Sequence, residues 1–405
     1  LQTKPTLLVL TSTFPLNADD GTPRFVLDLC LQLKQFYNIH VLCPHAPNLA
    51  LYSEISGIHI HYFRYLPERV ETLTYSGGIL SRLKNNPLMF FAIPFFVVGE
   101  ILAIKSLLRT IKPEAIHAHW LIPQGFSAII ARWLSGSKIP IICTSHGGDL
   151  YGLAYGPFKS VLRWVIRHSD LVTVVSNAMK NYAGILGAPT DHISVIPMGT
   201  DLSGIFRPPI DNQTRKQKRL LFAGRLVEKK GMPILIKAML NLADEYPDLQ
   251  LDIVGEGPDR NKLEKLTDDS GITDKIIFHG SMPHTELADY FRNATIAIIP
   301  SIKTSIGDQE GFGLVIVEAL GCECPVIASN LPAIQDIVID GKTGLLFSPG
   351  DINALTTSIK SLLNNPPERE RLAKNGRSHV MDFDWNIIAK HYKQLIDSAI
   401  SHRNQ

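Results

Sequence analysis

Glu310-Gly311-Phe312-Gly313-Leu314-Val315-Ile316-Val317-Glu318 is the stretch around which the rest of the sequence is read. A glycine-bearing loop gives way to an apolar run, so a helix begins after Gly311 or Gly313. Glu310 precedes that helix and Glu318 lies about two turns into it, which separates the carboxylates by ~10 Å at ~1.5 Å per residue. That is about the length of a sugar–diphosphate–ribose. The glycines let a ligand approach the backbone closely. A helix N-terminus offers free N–H groups and partial positive charge, which suits a diphosphate. The stretch therefore presents a hydroxyl acceptor, a phosphate cradle and a second hydroxyl acceptor in one line. An ordinary loop and helix with solvated acids would read the same way over nine residues, so the rest of the chain has to decide.

Outward from that stretch, strands alternate with helical patterns. Thr6 to Thr13 reads as a buried parallel strand. A loop with Pro15 and Gly21 follows, then a helix carrying Phe25, Val26, Leu29, Leu33 and Phe36. Strand, glycine-bearing loop and helix make the opening of a Rossmann-type unit. Further strands are expected at 39–44, 58–65, 115–118, 139–145, 171–175 and 193–196. The polar, proline-bearing 203–218 segment has no periodicity and reads as a linker between a 1–202 domain and a 219–384 domain. The second domain repeats the alternation, with strands at 219–223, 249–254, 276–279, 295–299, 325–328 and 344–347. The fold class is α/β, with two Rossmann-like doubly wound domains facing a cleft. Candidate residues fall just after strands, where such sheets bind ligands.

Composition narrows the function. The 405 residues are enough for two domains with real cores, and 45% hydrophobic content excludes general disorder. A net charge of +2 gives no ground for a nucleic-acid partner. Five cysteines without a C-x-x-C pair fit free thiols in a reducing, cytoplasmic setting. No secretory signal is read in the sequence. The run from Leu88 to Gly99 is interrupted by Pro94 and ended by Glu100. It falls short of the ~20 apolar residues of a spanning helix, so no transmembrane segment is expected.

Arg225 and Lys230 sit in the loop after the first strand of the second domain. A departing diphosphate needs a forked donor and a mobile point charge, and these two supply them. Gly255 and Gly257, in Gly255-Glu256-Gly257-Pro258, either turn the chain or admit a flat base. His146, in His146-Gly147-Gly148-Asp149, ends a strand beside two glycines and can reach a ligand there. His117 and His119 are expected to satisfy core hydrogen bonds, and Trp120 to pack. No nucleophile triad, zinc-protease motif or phosphate-binding P-loop occurs.

Together, the paired glutamates, Gly224-Arg225-Leu226-Val227-Glu228-Lys229-Lys230-Gly231, the Gly-Glu-Gly-Pro turn, the His-Gly-Gly-Asp turn and the first-loop glycine resemble the retaining family-four, or group 1, glycosyltransferases with the GT-B fold. The resemblance spans nearly the whole chain, more tightly after Arg219. It implies transfer of a hexosyl unit from a nucleotide-sugar donor, with UDP-sugars favoured and GDP-mannose next, to a glycan or lipid-linked acceptor. Glu318 would bind ribose hydroxyls. Glu310, with Gly311, Phe312, Gly313 and Leu314, would meet the donor sugar. Arg225 and Lys230 would hold the diphosphate, Gly21 would let the first loop close over it, and His146 would lie near the reacting carbon with Asp149 close by. No metal or other cofactor is implied, since the cations replace it. A helix from about Trp385 to residue 405 would cross back onto the first domain. Three departures stand out: Gly21-Thr22 where many members have two glycines, Glu323 where glycine is usual, and a long 301–309 loop bearing Lys303 and Asp308.

The acceptor side is read from 64–112, where seven basic residues stand against three acids beside the Leu88–Gly99 run. That pattern suits peripheral docking on the inner face of a membrane, and equally a core helix with a solvated edge. A sugar-nucleotide epimerase and a non-catalytic nucleotide-sugar-binding protein are the rival readings of the same fold.

Overall fold

The structure is a computed structural model that describes residues 4–16, 24–74, 79, 82–83, 86–209, 218–305 and 307–403. It divides into two compact units, one of Leu1–Pro197 with Asn386–Gln405 and one of Met198–Trp385.

The first unit is built on an eight-stranded sheet. Its strands are β1 (Thr6–Leu10), β2 (Asn38–Pro44), β3 (Tyr52–Ile55), β4 (Ile58–Phe63), β5 (Ala115–His119), β6 (Ile141–Ser145), β7 (Leu171–Val174) and β8 (Ile193–Val195). They lie in the order β3-β4-β2-β1-β5-β6-β7-β8, parallel except for β3, which runs antiparallel to β4. Central strands are covered on both faces, so Leu7 to Leu10 and Ile141 to Cys143 are fully buried and read as continuous apolar runs. The edge strand β3 (YSEI) is short and half exposed, with no apolar run to announce it.

The helix Ala92–Thr110 corrects the reading of the Leu88–Gly99 run. Pro94 is its third residue, where a missing N–H costs nothing, so the proline starts the helix and does not interrupt it. Glu100 does not end it either: its side chain is fully buried and accepts from Gln124 Nε2 at 3.2 Å. By length and composition the 24-residue stretch Pro87–Thr110, which holds an 18-residue window of mean hydropathy 2.2, suffices to cross a membrane. Here one face, Phe96, Glu100, Ile101, Ile104 and Leu107, is buried in the first unit.

The helix Trp385–Arg403 joins this unit from Asn386 onward. Tyr392 is buried with its ring 5.3 Å from that of His117. The Tyr37 hydroxyl donates to Asp397 at 2.6 Å.

The second unit carries a wholly parallel sheet of β9 (Arg219–Ala223), β10 (Gln250–Val254), β11 (Ile276–Gly280), β12 (Ile296–Ile299), β13 (Val326–Ser329) and β14 (Leu345–Phe347), ordered β11-β10-β9-β12-β13-β14. Residues 202–209 pack against this unit and do not hang between domains as a polar linker. Leu202 and Phe206 are fully buried, and Arg377 donates to the carbonyls of Leu202, Phe206 and Gly321 at 3.0, 3.1 and 2.9 Å. Two apolar residues four apart among prolines and polar residues left too faint a pattern to read. Residues 210–217 of the expected linker lie outside the described residues. The two passages of chain at the unit boundary are paired: Thr200 N–H donates to Phe383 O and Trp385 N–H to Thr200 O, both at 3.1 Å.

Candidate active site

In the second unit β9 lies between β10 and β12, so the loops after β9 and β12 leave the sheet side by side at its switch point. These loops carry Arg225, Lys229 and Lys230 on one side and Asp308 and Glu310 on the other. Backbone and side chains bind them together. Ile302 N–H donates to Lys229 O at 2.8 Å, and Lys229 Nζ meets Asp308 at 3.1 Å. Lys230 Nζ meets Glu310 Oε2 at 2.6 Å, with both side chains largely buried. Gly231 begins the helix Met232–Leu242 at φ +66°, and a Cβ there would run into the Pro300 carbonyl. A glycine is required where the two loops cross.

Glu310 is held as a carboxylate. Burial pushes its pKa up, but the charges of Lys230 and Lys229, with hydrogen bonds from Lys230 and the Gly311 N–H, outweigh burial and hold it below the ordinary value. The helix starts at Leu314, and Gly313 caps it in the left-handed region at φ +96°. Glu318 is therefore its fifth residue, a little over one turn in and not two, and it is buried. Phe312 is 2% exposed with its ring 5.6 Å from Phe383, so its side chain belongs to the core.

Arg225 stands exposed in the β9 loop. Gly255 and Gly257 press against that same loop. A Cβ on Gly255 would meet the Gly224 carbonyl, and one on Gly257 the Leu226 carbonyl. Leu226 N–H donates to Glu256 O at 2.9 Å. Close packing of two turns thus explains both glycines, without appeal to a base.

In the first unit His146 follows β6 and His119 ends β5. Their rings are stacked, with His119 Nδ1 2.9 Å from His146 Nε2. Phe25 and Trp120 pack on His146 with centroids at 4.6 and 5.5 Å. Burial, with His117 nearby, pushes the His146 pKa down to about 3, and burial with both neighbouring histidines pushes His119 well below its usual range. The rings are neutral. Nδ1 of His146 and Nε2 of His119 are buried without a hydrogen-bond partner among the described residues. Asp149 is spent within the fold: one oxygen accepts from Leu121 N–H and the other from Ser145 Oγ, each at 2.6 Å. It holds the turn after β5, where Trp120 takes φ +78°. Gly21 lies outside the described residues.

The sequence reading gave His119 a core hydrogen bond but not its partner: the bond goes to His146 and braces it. His-x-His on a buried strand, ending level with a glycine-flanked histidine, was the available signal. It also missed Gly231, hidden in a basic loop.

Comparison with known proteins accords with this geometry. The model described as "Glycosyl transferases group 1" matches residues 207–379, and that of "Glycosyltransferase Family 4" matches 20–203. A D-inositol 3-phosphate glycosyltransferase of Acidothermus cellulolyticus is 30% identical over 318 residues, 72% of this chain and 68% of the relative. The chain belongs to the group 1 glycosyltransferases. This glycosyltransferase is also 28% identical over 313 residues to a GDP-mannose-dependent alpha-(1-6)-phosphatidylinositol monomannoside mannosyltransferase of Mycolicibacterium smegmatis, covering 74% of this chain and 81% of that one. Sucrose-phosphate synthase from Thermosynechococcus elongatus superposes with a TM-score of 0.79 at 24% identity, over 98% of this chain and 100% of that one. The glycosyltransferase has the two-domain, Rossmann-like GT-B fold.

Proposed function

We propose that the glycosyltransferase moves a hexosyl unit from a nucleoside-diphosphate sugar to a hydroxyl of a glycan or lipid-linked acceptor, with retention at the anomeric carbon and without a metal ion. The Lys230–Glu310 pair at the head of the Leu314–Gly321 helix carries this reading. Donor binding gives Lys230 a new partner, the diphosphate. The released Glu310 carboxylate then accepts hydrogen bonds from donor-sugar hydroxyls. Glu318 takes the ribose hydroxyls further along the helix.

As the bond from the anomeric carbon to the phosphate oxygen breaks, the sugar takes on oxocarbenium character and the diphosphate gains charge. Lys230, Arg225 and the helix N-terminus oppose that charge, where preorganised electrostatics act most strongly. The acceptor oxygen forms its bond on the face the diphosphate leaves, and its proton passes to the leaving phosphate. This route needs no protein nucleophile. The neutral His146, braced by His119, is assigned to the donor sugar.

UDP-sugars lead the proposed donors. GDP-mannose stands second, in keeping with the name of the mycobacterial relative.

The test is turnover with UDP-hexoses and GDP-mannose, with the product anomer read by NMR and the assay repeated in excess chelator. Retained configuration and chelator-resistant turnover are expected. Inversion, or loss on chelation restored by a divalent ion, overturns the mechanism; an epimerised donor with no transfer overturns the reaction.

A further inference from the structure

One surface of the first unit has no part in the donor chemistry. Opposite its buried face, the Ala92–Thr110 helix and the turn before it expose Phe91, Phe95, Val98 and Leu102 at 77, 57, 55 and 59%. Their spacing of four, three and four places them in one line, ~16 Å long at ~1.5 Å per residue. Leu88, exposed at 73%, extends the line. Alongside it a cavity of about 420 Å³ opens between this segment and residues 66–73, walled by Leu66, Val70, Leu73 and Met89, with Arg69 at its side. That size is ordinary for a ligand pocket, roughly 300–1,000 Å³.

The charges around this patch have one sign. Lys105 and Arg109 continue the helix line, and Lys112 and Arg69 flank it; Arg69, Arg109 and Lys112 are exposed and Lys105 half-buried. The three acids of the region are engaged elsewhere. Glu100 is buried and turned inward to Gln124. Glu71 is buried 2.6 Å from His45 Nδ1. Glu68 accepts from the Asn48 N–H at 2.6 Å and pairs with Arg64 at 3.3 Å.

We propose that this face docks on an anionic bilayer. The Phe91–Phe95–Val98–Leu102 line and the adjacent cavity take acyl chains, and Arg69, Lys105, Arg109 and Lys112 take phosphate headgroups. The helix lies in the interface and does not span, because its other face holds Phe96, Ile104 and the Glu100–Gln124 bond inside the protein. Uniform positive charge at the rim favours an anionic surface over a second copy of the chain, which would bring the same charges to the same contact. Docking deepens the proposed reaction by choosing a lipid-linked acceptor over a soluble glycan, and it rests on that reaction for this last step alone.

The experiment is co-sedimentation of the full chain with vesicles of phosphatidylcholine, alone or with one quarter phosphatidylglycerol, without donor or acceptor. The wild type is expected to bind the anionic vesicles at least tenfold more tightly than the neutral ones. Phe91→Ser/Phe95→Ser/Leu102→Ser and Lys105→Glu/Arg109→Glu, with unchanged thermal melts, are each expected to lose at least tenfold. As a direct probe, Phe91→Trp should add fluorescence that brominated lipid quenches. Wild type left in the supernatant, variants that bind equally, or an added fluorescence that lipid leaves untouched each overturn docking. So does a dimer in the ultracentrifuge that the triple serine variant dissolves while vesicles bind nothing, which makes the face a contact between copies. A donor thermal shift measured on the same protein separates the two proposals, since vesicle binding without donor binding sinks only the transfer reading.

Discussion

At the scale of single residues, the Lys230–Glu310 contact has the most specific consequences. Removing one oriented donor from a developing anion costs roughly 10²–10³ in rate. Lys230→Ala is therefore expected to lower kcat by that amount while the fold survives. It also removes the first of the influences that hold Glu310 below its usual pKa, leaving only Lys229 and the Gly311 N–H against burial, so that pKa rises. The acid limb of the pH–rate profile should then move to higher pH. Glu310→Ala should lower kcat equally without moving that limb in the same sense. Turnover near wild type in either variant, measured with saturating donor, would contradict the assignment. Gly231 makes a separate prediction about stability. Its left-handed φ and its contact with the Pro300 carbonyl leave no room for a methyl group. Left-handed strain alone costs about 1–3 kcal/mol in a non-glycine residue. Gly231→Ala should destabilise by more than that, read as a drop in urea midpoint at constant m-value. Glu323, by contrast, already sits at φ +53° without being a glycine. The candidate acids and cations were legible because each follows a strand in a chemically typed loop. Their pairing was not, because Lys230 and Glu310 are 80 residues apart and only the sheet order brings them together.

At the scale of elements, the Ala92–Thr110 helix shows where sequence patterning misleads. A proline and a glutamate inside an apolar run normally argue for an interruption. Both are accommodated, the proline by its place in the first turn and the glutamate by burial, which favours its neutral form. Burial raises the Glu100 pKa to about 7, with the hydrogen bond from Gln124 opposing it. The folded state therefore holds its proton more tightly than the unfolded chain does. Between the unfolded value of ~4.3 and about 7, the native state carries one more bound proton, so stability falls as pH rises at about 1.4 kcal/mol per pH unit. The contribution is whole below the unfolded pKa and gone above the folded one. Glu100→Gln keeps the shape and removes the titration. Urea melts from pH 4 to 8 should show a shallower decline for the variant, with the difference largest above pH 7. Parallel curves for the two proteins across that range would show that Glu100 does not titrate in it. The strands, by contrast, were legible almost throughout, because parallel sheets buried on both faces print unbroken apolar runs. The one strand not foreseen, β3, is an exposed antiparallel edge with no such run.

At the scale of the whole molecule, the two units differ in how they use the chain. The second is continuous from Met198 to Trp385, whereas the first needs both Leu1–Pro197 and Asn386–Gln405. The last helix gives the first unit three large buried side chains, Ile388, Tyr392 and Ile396, with Ala389 and Ala399 beside them. It also receives the Tyr37 hydroxyl at Asp397. At roughly 1.5–3 kcal/mol for each large apolar side chain fully buried, those three contribute about 5–9 kcal/mol. Native domains are stable by only ~5–15 kcal/mol in total. A fragment of residues 1–197 is thus expected to lack a cooperative urea transition and to bind a hydrophobic dye. The fragment 198–385 should unfold cooperatively by itself, since its core is closed within one run of chain. Residues 386–405, joined through a flexible linker to the end of 1–197, should restore the transition, and Tyr392→Ala in that joined chain should weaken it by about 3–5 kcal/mol. A cooperative 1–197 fragment with an unchanged midpoint would mean that the last helix adorns a finished core. The opposite result would make completion of the first unit wait for residues 386–405, which follow the second unit in the chain.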